Sequence, residues 1–280
     1  MLSYRHLFHA GSFADVFKHA LLARLLIAIG GKGKPYCFLD THAGTGRYDL
    51  GHAWAWKTRE FETGIKPLWS RKDIPPALAP YMEIVRAENP KGRLRYYPGS
   101  PLIALKLRRP GDRLVLTELN RTDFAELEAM VARERHVAAH LMDGYQALKA
   151  FLPPQERRGL VLLDSSFDRA REFARITKAL KAAHERWPTG QYAIWYPMME
   201  QAPMRDFARG MERSGIRKIL RLELRVRKAD PDTPMPGCGM LVINPPWKFD
   251  VEARPLLDWL AQALSQDGAG GAKVDWLVPE

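Results

Sequence analysis

Short apolar strands alternate with helices along most of this 280-residue chain, and this alternation constrains the fold more than any other feature. The pattern starts with FADVFKHALLARLLIAI (13–29), whose apolar residues have helical spacing. YCFLD (36–40) follows and has the aromatic and apolar composition of a strand. Alternating strands and helices are typical of βαβ units. We therefore predict an α/β fold with a mostly parallel sheet.

Further strands complete the predicted sheet. They are RLVLTEL (113–119), the start of VAAHLMDGYQAL (137–148), GLVLLD (159–164), GQYAIWYPM (190–198), RKILRLELRV (217–226), CGMLVINPPW (238–247) and KVDWLVPE (273–280). The late strands lie close together in the sequence, which predicts an antiparallel hairpin at one edge. Residues 51–99 interrupt the rhythm with short helices and loops. We predict a helical insertion subdomain there, within a main domain of residues 1–50 and 100–280.

Composition limits the class of protein and of partner. The apolar fraction of 46% and the charged fraction of 27% are those of a soluble globular protein. Lys and Arg outnumber Asp and Glu by 43 to 32, which gives a net charge of +11 and favours either a polyanionic partner or simply a basic enzyme. Neither a signal peptide nor a membrane span is evident, and Cys37 and Cys238 lie in apolar surroundings typical of buried thiols. We expect a cytoplasmic protein.

Acidic residues follow four successive strands of the predicted sheet. They are Asp40, Glu118, Asp143 and Asp164, and a glycine turn with Gly44 follows the first of these strands. Open α/β sheets bind ligands beyond the carboxyl ends of their strands. The turn does not match the Gly-x-Gly-x-x-Gly of dinucleotide-binding proteins, and its neighbouring acids disfavour a phosphate. A P-loop signature is also missing from the sequence.

S-adenosylmethionine suits these acids, because it has no phosphate but has hydroxyl, amino and ammonium groups. Glu118 is expected to accept hydrogen bonds from the ribose hydroxyls, and Asp143 from the adenine amino group. The turn at Gly44 would let the backbone approach the amino-acid part of the cofactor. Each acid alone could equally be a helix cap. Four acids in order, with one glycine turn, favour the cofactor.

Several segments resemble the ribosomal RNA large subunit methyltransferase J family, which makes N6-methyladenine in large-subunit (23S) ribosomal RNA. These segments include MLSYRHLFHAGSFADVFKHALL, LDTHAGTGRYDLG, RLRYYPGSPLIA, GMLVINPPWK and the final WLVPE, and the resemblance covers nearly the whole chain. It implies a Rossmann-like methyltransferase domain with a helical insertion, S-adenosylmethionine as the methyl donor, and a monomer. The large-subunit RNA would be protein-free or in an early assembly intermediate.

The resemblance also implies site residues. The cofactor site would comprise His19, His42, Ser100, Glu118, Asp143, Gly144 and Asp164. Tyr4 would contact the RNA substrate, and we expect Lys18 to contact the RNA as well. We expect no metal, because His6, His9 and His19 have no acid or cysteine at ligand spacing.

The sequence departs from the family at the motif that holds the target base. The family has Asp-Pro-Pro-Tyr where this chain has Asp164, Ser165, Ser166 and Phe167. The carboxylate of Asp164 and the carbonyl of Ser165 can still accept hydrogen bonds from an adenine amino group, and Phe167 can still stack on the base. We predict that these three residues are catalytic. Two prolines fix the backbone and two serines do not, so a mobile loop and slower turnover are expected.

Alternatives stay open at this point. Asn244-Pro-Pro-Trp247 has the look of a catalytic motif, but it lies too late in the strand order, and we interpret it as a strand end that supports the base pocket. The chain could be a cofactor- and RNA-binding module with impaired catalysis, or a DNA adenine methyltransferase. The basic strand 217–226 could face RNA or simply solvent.

Overall fold

The computed structural model describes residues 5–167, 171–199, 201–229 and 235–280. Within these ranges the strands are β1 (Cys37–Asp40), β2 (Arg47–Asp49), β3 (Tyr96–Pro98), β4 (Arg113–Glu118), β5 (Val137–Leu141), β6 (Gly159–Leu163), β7 (Gln191–Met198), β8 (Ile219–Arg225), β9 (Gly237–Ile243) and β10 (Gly271–Val278). The helices are α1 (Phe13–Gly30), α2 (Ala53–Thr58), α3 (Ile65–Trp69), α4 (Ala79–Ala87), α5 (Ser100–Leu107), α6 (Arg121–Val131), α7 (Gly144–Phe151), α8 (Glu172–Arg186), α9 (Gln201–Glu212) and α10 (Phe249–Ala263). Short 3₁₀ turns cover His6–Phe8 and Glu60–Glu62.

The main sheet confirms the predicted α/β fold. In the described part of the chain it has eight strands in the order β10-β8-β9-β7-β6-β1-β4-β5. The five strands from β7 to β5 are parallel, as the alternation with helices predicts. The antiparallel part is larger than one hairpin, because β9 lies between β7 and β8 and β10 pairs with the outer side of β8.

Helices cover both faces of the sheet. Alternate residues of β1 point to opposite faces: Phe38 joins the core under α1 and α10, whereas Cys37 and Leu39 join the core under α7, α8 and α9. Helix α1 is buried on almost all sides, so its polar residues lie inside the molecule. None of the helices in the described ranges is long and apolar enough to cross a membrane.

The segment predicted as an insertion, residues 51–99, contains α2, α3, α4 and the strand β3. Strand β3 pairs antiparallel with β2, so this two-stranded ribbon brings the beginning and the end of the segment together. Its register places Arg47 opposite Pro98 and Asp49 opposite Tyr96. The division of the chain into two domains stays a prediction.

Candidate functional site

A cleft at the carboxyl ends of the parallel strands collects the predicted cofactor residues. Its lining includes Lys18, His19, His42, Gly44, Ser100, Glu118, Asp143, Gly144, Asp164 and Ser165. Phe167 lines a second cavity, which shares Asp164 and Ser165 with the first. The segment that follows β6 therefore separates two neighbouring spaces.

The glycine turn after β1 is held by Glu118. The Gly44 amide donates to Oε2 of Glu118 at 2.9 Å, and the Asn120 amide donates to Oε1 at 2.7 Å. Gly44 has a φ of +61°, and a Cβ there would lie 2.2 Å from the hydroxyl oxygen of Tyr48. Burial raises the pKa of Glu118 from its ordinary value, although the two amides oppose this shift. A carboxylate has about four lone-pair positions, so Glu118 can still accept bonds from a ligand.

Asp143 is both a helix cap and a wall of the cleft. Its Oδ1 accepts from the amides of Tyr145 at 2.9 Å and Gln146 at 3.2 Å, which caps α7. Its Oδ2 accepts from Arg175 at 2.8 Å. Burial opposes ionisation, but Arg175 and the two amides outweigh it and lower the pKa of Asp143. Gly144 is required by close approach, since a Cβ there would lie 2.2 Å from the Thr41 carbonyl oxygen.

His19 has one ring nitrogen without a hydrogen-bond partner in the described part of the chain. Its Nδ1 lies 2.8 Å from the hydroxyl of Tyr97, whereas its buried Nε2 has no hydrogen-bond partner in the described part of the chain. Burial, with a further contribution from Lys18, lowers the pKa of His19 well below its ordinary value. His19 is therefore neutral, and a Tyr97 hydroxyl that donates to Nδ1 leaves a hydrogen on Nε2.

His42 and Ser100 line the same cleft, and Ser100 contacts the buried acid Asp40. The Nδ1 of His42 lies 2.9 Å from the Thr41 hydroxyl, and burial lowers the pKa of His42. Ser100 begins α5 and hydrogen-bonds Asp40. Asp40 itself is fully buried, and burial raises its pKa to about 7 despite the hydrogen bond from Ser100.

A buried ion pair fixes the carboxylate of Asp164. The ammonium of Lys18 lies 2.6 Å from Oδ2 of Asp164 and 2.9 Å from Oδ1 of Asp15, and the Lys18 side chain is only 5% exposed. Burial alone would lower the pKa of Lys18, but the two carboxylates hold it well above its ordinary value. The predicted contact of Lys18 with RNA does not fit this position, because the charge is already neutralised inside the molecule.

Asp15 is a site residue that the sequence did not single out, and His6, named there only as a rejected metal ligand, is its partner. Nε2 of His6 lies 2.9 Å from Oδ2 of Asp15, and the Gly11 amide donates to the same oxygen at 2.9 Å. The available signal was the i, i+3 spacing of Asp15 and Lys18 on an otherwise apolar helix. Buried charges in such a helix need internal partners.

The second cavity has an aromatic and apolar wall. Phe167 lies edge-on to Trp195, with ring centroids 5.8 Å apart, and tilted against Phe173 at 4.9 Å. Pro197 and Met199 add further apolar surface. An aromatic wall next to a paired carboxylate can bind a planar base whose amino group points at the carboxylate.

Asn244 lies at the other end of the strands, beside the amino-terminal end of β7. Ile243 pairs with Tyr192 at the start of β7, because β9 runs antiparallel to β7. The Asn244 side-chain amide donates to the carbonyls of Pro188 and Gly190, both at 2.8 Å. The interpretation that this motif supports the base pocket is wrong, because strand direction takes it away from Asp164.

The structure also gives the surroundings of other residues that the sequence singled out. Tyr4 lies outside the described residues. Across the described ranges, no group of three or more His, Cys, Asp or Glu side chains could hold a metal ion. On the basic strand β8, Arg221 is paired with Asp275 of β10 at 2.8 Å, so part of that face is neutralised. Both cysteines are free and buried.

Known proteins resemble this chain over its whole length. A family model described as "Ribosomal RNA large subunit methyltransferase D, RlmJ" matches residues 33–278. Ribosomal RNA large subunit methyltransferase J of Escherichia coli (strain K12) is 42% identical over 280 residues, which is 100% of both chains. The protein of the same name from Haemophilus influenzae is 42% identical over 281 residues, again 100% of both chains. A crystal structure of a Legionella pneumophila protein superimposes with a TM-score of 0.90 at 37% identity, covering 96% of this chain and 98% of the other.

Proposed function

Because the chain belongs to the ribosomal RNA large subunit methyltransferase J family, we propose that it transfers a methyl group from S-adenosylmethionine to the N6 atom of an adenine in large-subunit ribosomal RNA. The observation that carries this proposal is the position of Asp164. Its carboxylate stands between the cleft that holds the predicted cofactor residues and a cavity with an aromatic wall. An amino group in that cavity and a cofactor in the cleft would meet at this residue.

The cleft fits S-adenosylmethionine on two structural grounds. The Glu118 carboxylate lines the cleft with acceptor positions that the Gly44 and Asn120 amides do not fill, and the buried Nε2 of His19 has no hydrogen-bond partner in the described part of the chain. Glu118 would hold the ribose hydroxyls, and Asp143 the adenine amino group. When bound, the cofactor supplies an electrophilic methyl group on a positively charged sulfur.

The protein's own residues hold the target amino group. Oδ2 of Asp164 is occupied by the Lys18 ammonium at 2.6 Å, and this contact fixes the plane of the carboxylate. Oδ1 of Asp164 and the carbonyl of Ser165 are then the two acceptors for the N–H groups of adenine. An adenine nitrogen with both hydrogens held in this way is favoured in its tetrahedral form, which makes its lone pair available.

Aromatic side chains hold the base itself. Phe167 and Trp195 give faces on which an extruded adenine can stack, and such stacking contributes about 1–3 kcal/mol per base. A base that pairs in a helix must leave its stack to reach this cavity. We therefore infer that RNA free of ribosomal proteins, or an early assembly intermediate, is the substrate. We also propose that Tyr4 contacts this RNA and that the enzyme is a cytoplasmic monomer.

The test is a transfer assay with defined nucleic acids. Purified protein, labelled S-adenosylmethionine and protein-free large-subunit RNA are incubated, and the RNA is digested to nucleosides. We expect labelled N6-methyladenosine. Absence of label, with cofactor binding detected by calorimetry, would identify a binding module with impaired catalysis. Faster labelling of a DNA duplex of the same sequence would identify a DNA methyltransferase.

A further inference from the structure

Ser165 and Tyr145 donate hydrogen bonds to one buried carboxylate oxygen. Oγ of Ser165 lies 2.5 Å from Oε1 of Glu172, and the hydroxyl of Tyr145 lies 2.5 Å from the same atom. All three residues are buried, and Glu172 is 4% exposed. The loop that carries Asp164 is thereby joined to two helices at a single point.

The surroundings of Glu172 make this junction firm. Glu172 lies in the first turn of α8, where the helix dipole favours a negative charge. A buried carboxylate needs hydrogen-bond donors, and the two hydroxyls supply them. Burial, together with the bond to Glu172, raises the pKa of Tyr145, so this hydroxyl keeps its hydrogen and remains a donor.

Tyr145 is itself held in place from the other side. The guanidinium of Arg175 lies 3.9 Å from the centroid of the Tyr145 ring, and the same Arg175 is paired with Asp143 at 2.8 Å. Because Arg175 lies one turn after Glu172 on α8, a single helix supplies both the acceptor for the Tyr145 hydroxyl and the cation over its ring. The Tyr145 hydroxyl therefore has little freedom to leave Glu172.

We propose that Glu172 is a positioning residue that fixes the catalytic loop through Ser165 and Tyr145, in the place of the two prolines of Asp-Pro-Pro-Tyr. The inference rests on the proposed function of Asp164. It changes the expectation for the two serines: the hydroxyl of Ser165 anchors the loop where a freely rotating serine would loosen it. Proline fixes the backbone by its ring, whereas this chain fixes the loop by hydrogen bonds to Glu172.

The deciding experiment compares the loss of Glu172 in two loop backgrounds. Glu172→Ala is made in the natural chain and in the double variant Ser165→Pro, Ser166→Pro. In the natural chain we expect kcat to fall by about 30-fold, with KM for the cofactor within about twofold, because the shared acceptor of two buried hydrogen bonds is lost. In the proline background we expect the same substitution to lower kcat by less than about threefold, since the ring constraint replaces the hydrogen bonds.

Milder variants and a matched control complete the set. Glu172→Gln keeps an acceptor oxygen at the same position, so we expect it to recover a large part of the lost kcat. Tyr145→Phe keeps the ring under Arg175 and removes one donor, so its loss is expected to be smaller than that of Glu172→Ala. Glu185→Ala removes an exposed acid from the same helix and is expected to leave kcat unchanged.

Equal losses in both loop backgrounds, or no loss in either, would overturn the proposal, because Glu172 would then support only the fold or nothing. Hydrogen–deuterium exchange of the Asp164 and Phe167 amides gives a readout that needs no activity. Glu172→Ala is expected to speed this exchange in the natural loop and not in the proline loop. If the natural chain transfers no methyl group but its exchange responds in this way, the positioning role stands and the proposed function fails.

Discussion

Two four-residue segments of this protein look alike in sequence and lie at opposite ends of the strands of one sheet. Asp164–Phe167 follows β6, and Asn244–Trp247 follows β9; each has an acceptor side chain, two small or cyclic residues and an aromatic. Because β6 is parallel to its neighbours and β9 is antiparallel to β7, the two strands end on different sides. Strand direction, and not the tetrapeptide itself, therefore decides which segment reaches the cleft.

The surroundings of the two segments differ as much as their positions. Asp164 faces a buried ammonium and two cavities, whereas the Asn244 side-chain NH2 group donates to two backbone carbonyls and Trp247 is 86% exposed. The segment without prolines is anchored by Glu172, and the one with prolines carries no paired charge. The carboxyl ends of the parallel strands thus hold the Asp164 side chain in a fixed position through Lys18. At the other end of these strands, Asn244 hydrogen-bonds the connection between α8 and β7.

The largest expected effect comes from Asp164→Ala. It removes an acceptor for the target amino group and leaves Lys18 with one partner, so we expect methyl transfer to fall by about 1000-fold or more. The measurement is label incorporated into protein-free RNA under single-turnover conditions. Asn244→Ala serves as the control and is expected to keep turnover within about twofold. A reversed pair of results would move the active site to the other edge.

The pH dependence of stability in Asp40→Asn tests the cost of burying the Asp40 carboxyl group beside the cleft. The folded-state pKa of Asp40 is about 7, above its ordinary value of 3.8, so the folded protein keeps this proton longer than the unfolded chain. Asp40 therefore lowers the free energy of unfolding progressively as pH rises from about 4 to about 7. We expect Asp40→Asn to be more stable than the natural chain by about 2 kcal/mol at pH ~8 and by much less at pH ~5. Urea unfolding of both proteins at the two pH values measures this; parallel pH profiles would contradict it.

Asn244→Ala is expected to act on stability alone. It removes two hydrogen bonds to Pro188 and Gly190, which should lower the free energy of unfolding by about 1–2 kcal/mol. Denaturant unfolding and the transfer assay, run on the same preparation, separate the two properties. Lost activity in a protein that remains fully folded would show that Asn244 affects the cleft from the other end of the strands.

The smallest effect is expected from Trp247→Ala. Its side chain is 86% exposed, so little apolar surface is buried and the free energy of unfolding should change by less than about 0.5 kcal/mol. Thermal unfolding measured against the natural chain is sufficient. A loss of several kcal/mol would mean that Trp247 is covered in solution.

The sequence predicted the strands well because each is a compact apolar run, as in GLVLLD before Asp164. It could not predict that β9 enters between β7 and β8, since pairing partners depend on distant residues. The short elements β2, β3 and α7 lacked a long periodic signal. For the site, acids at strand ends were visible, but Asp15 and Glu172 act through contacts with residues far along the chain. Such contacts leave no local pattern.

The position of β8 has a consequence for how the polypeptide is made. Both neighbours of β8 in the sheet, β9 and β10, come later in the chain. Until those strands are made, β8 has no partner strand on either side, so its backbone N–H and C=O groups are unpaired. Its apolar residues Leu220, Leu222 and Leu224 are exposed at the same stage, which makes this part of the nascent chain prone to aggregation. The parallel strands precede β8 in the chain, whereas the antiparallel part of the sheet is completed only after β9 and then β10 have been made. Slow translation between residues 226 and 271 would therefore extend the period in which at least one edge of β8 is unpaired and open to association with other chains.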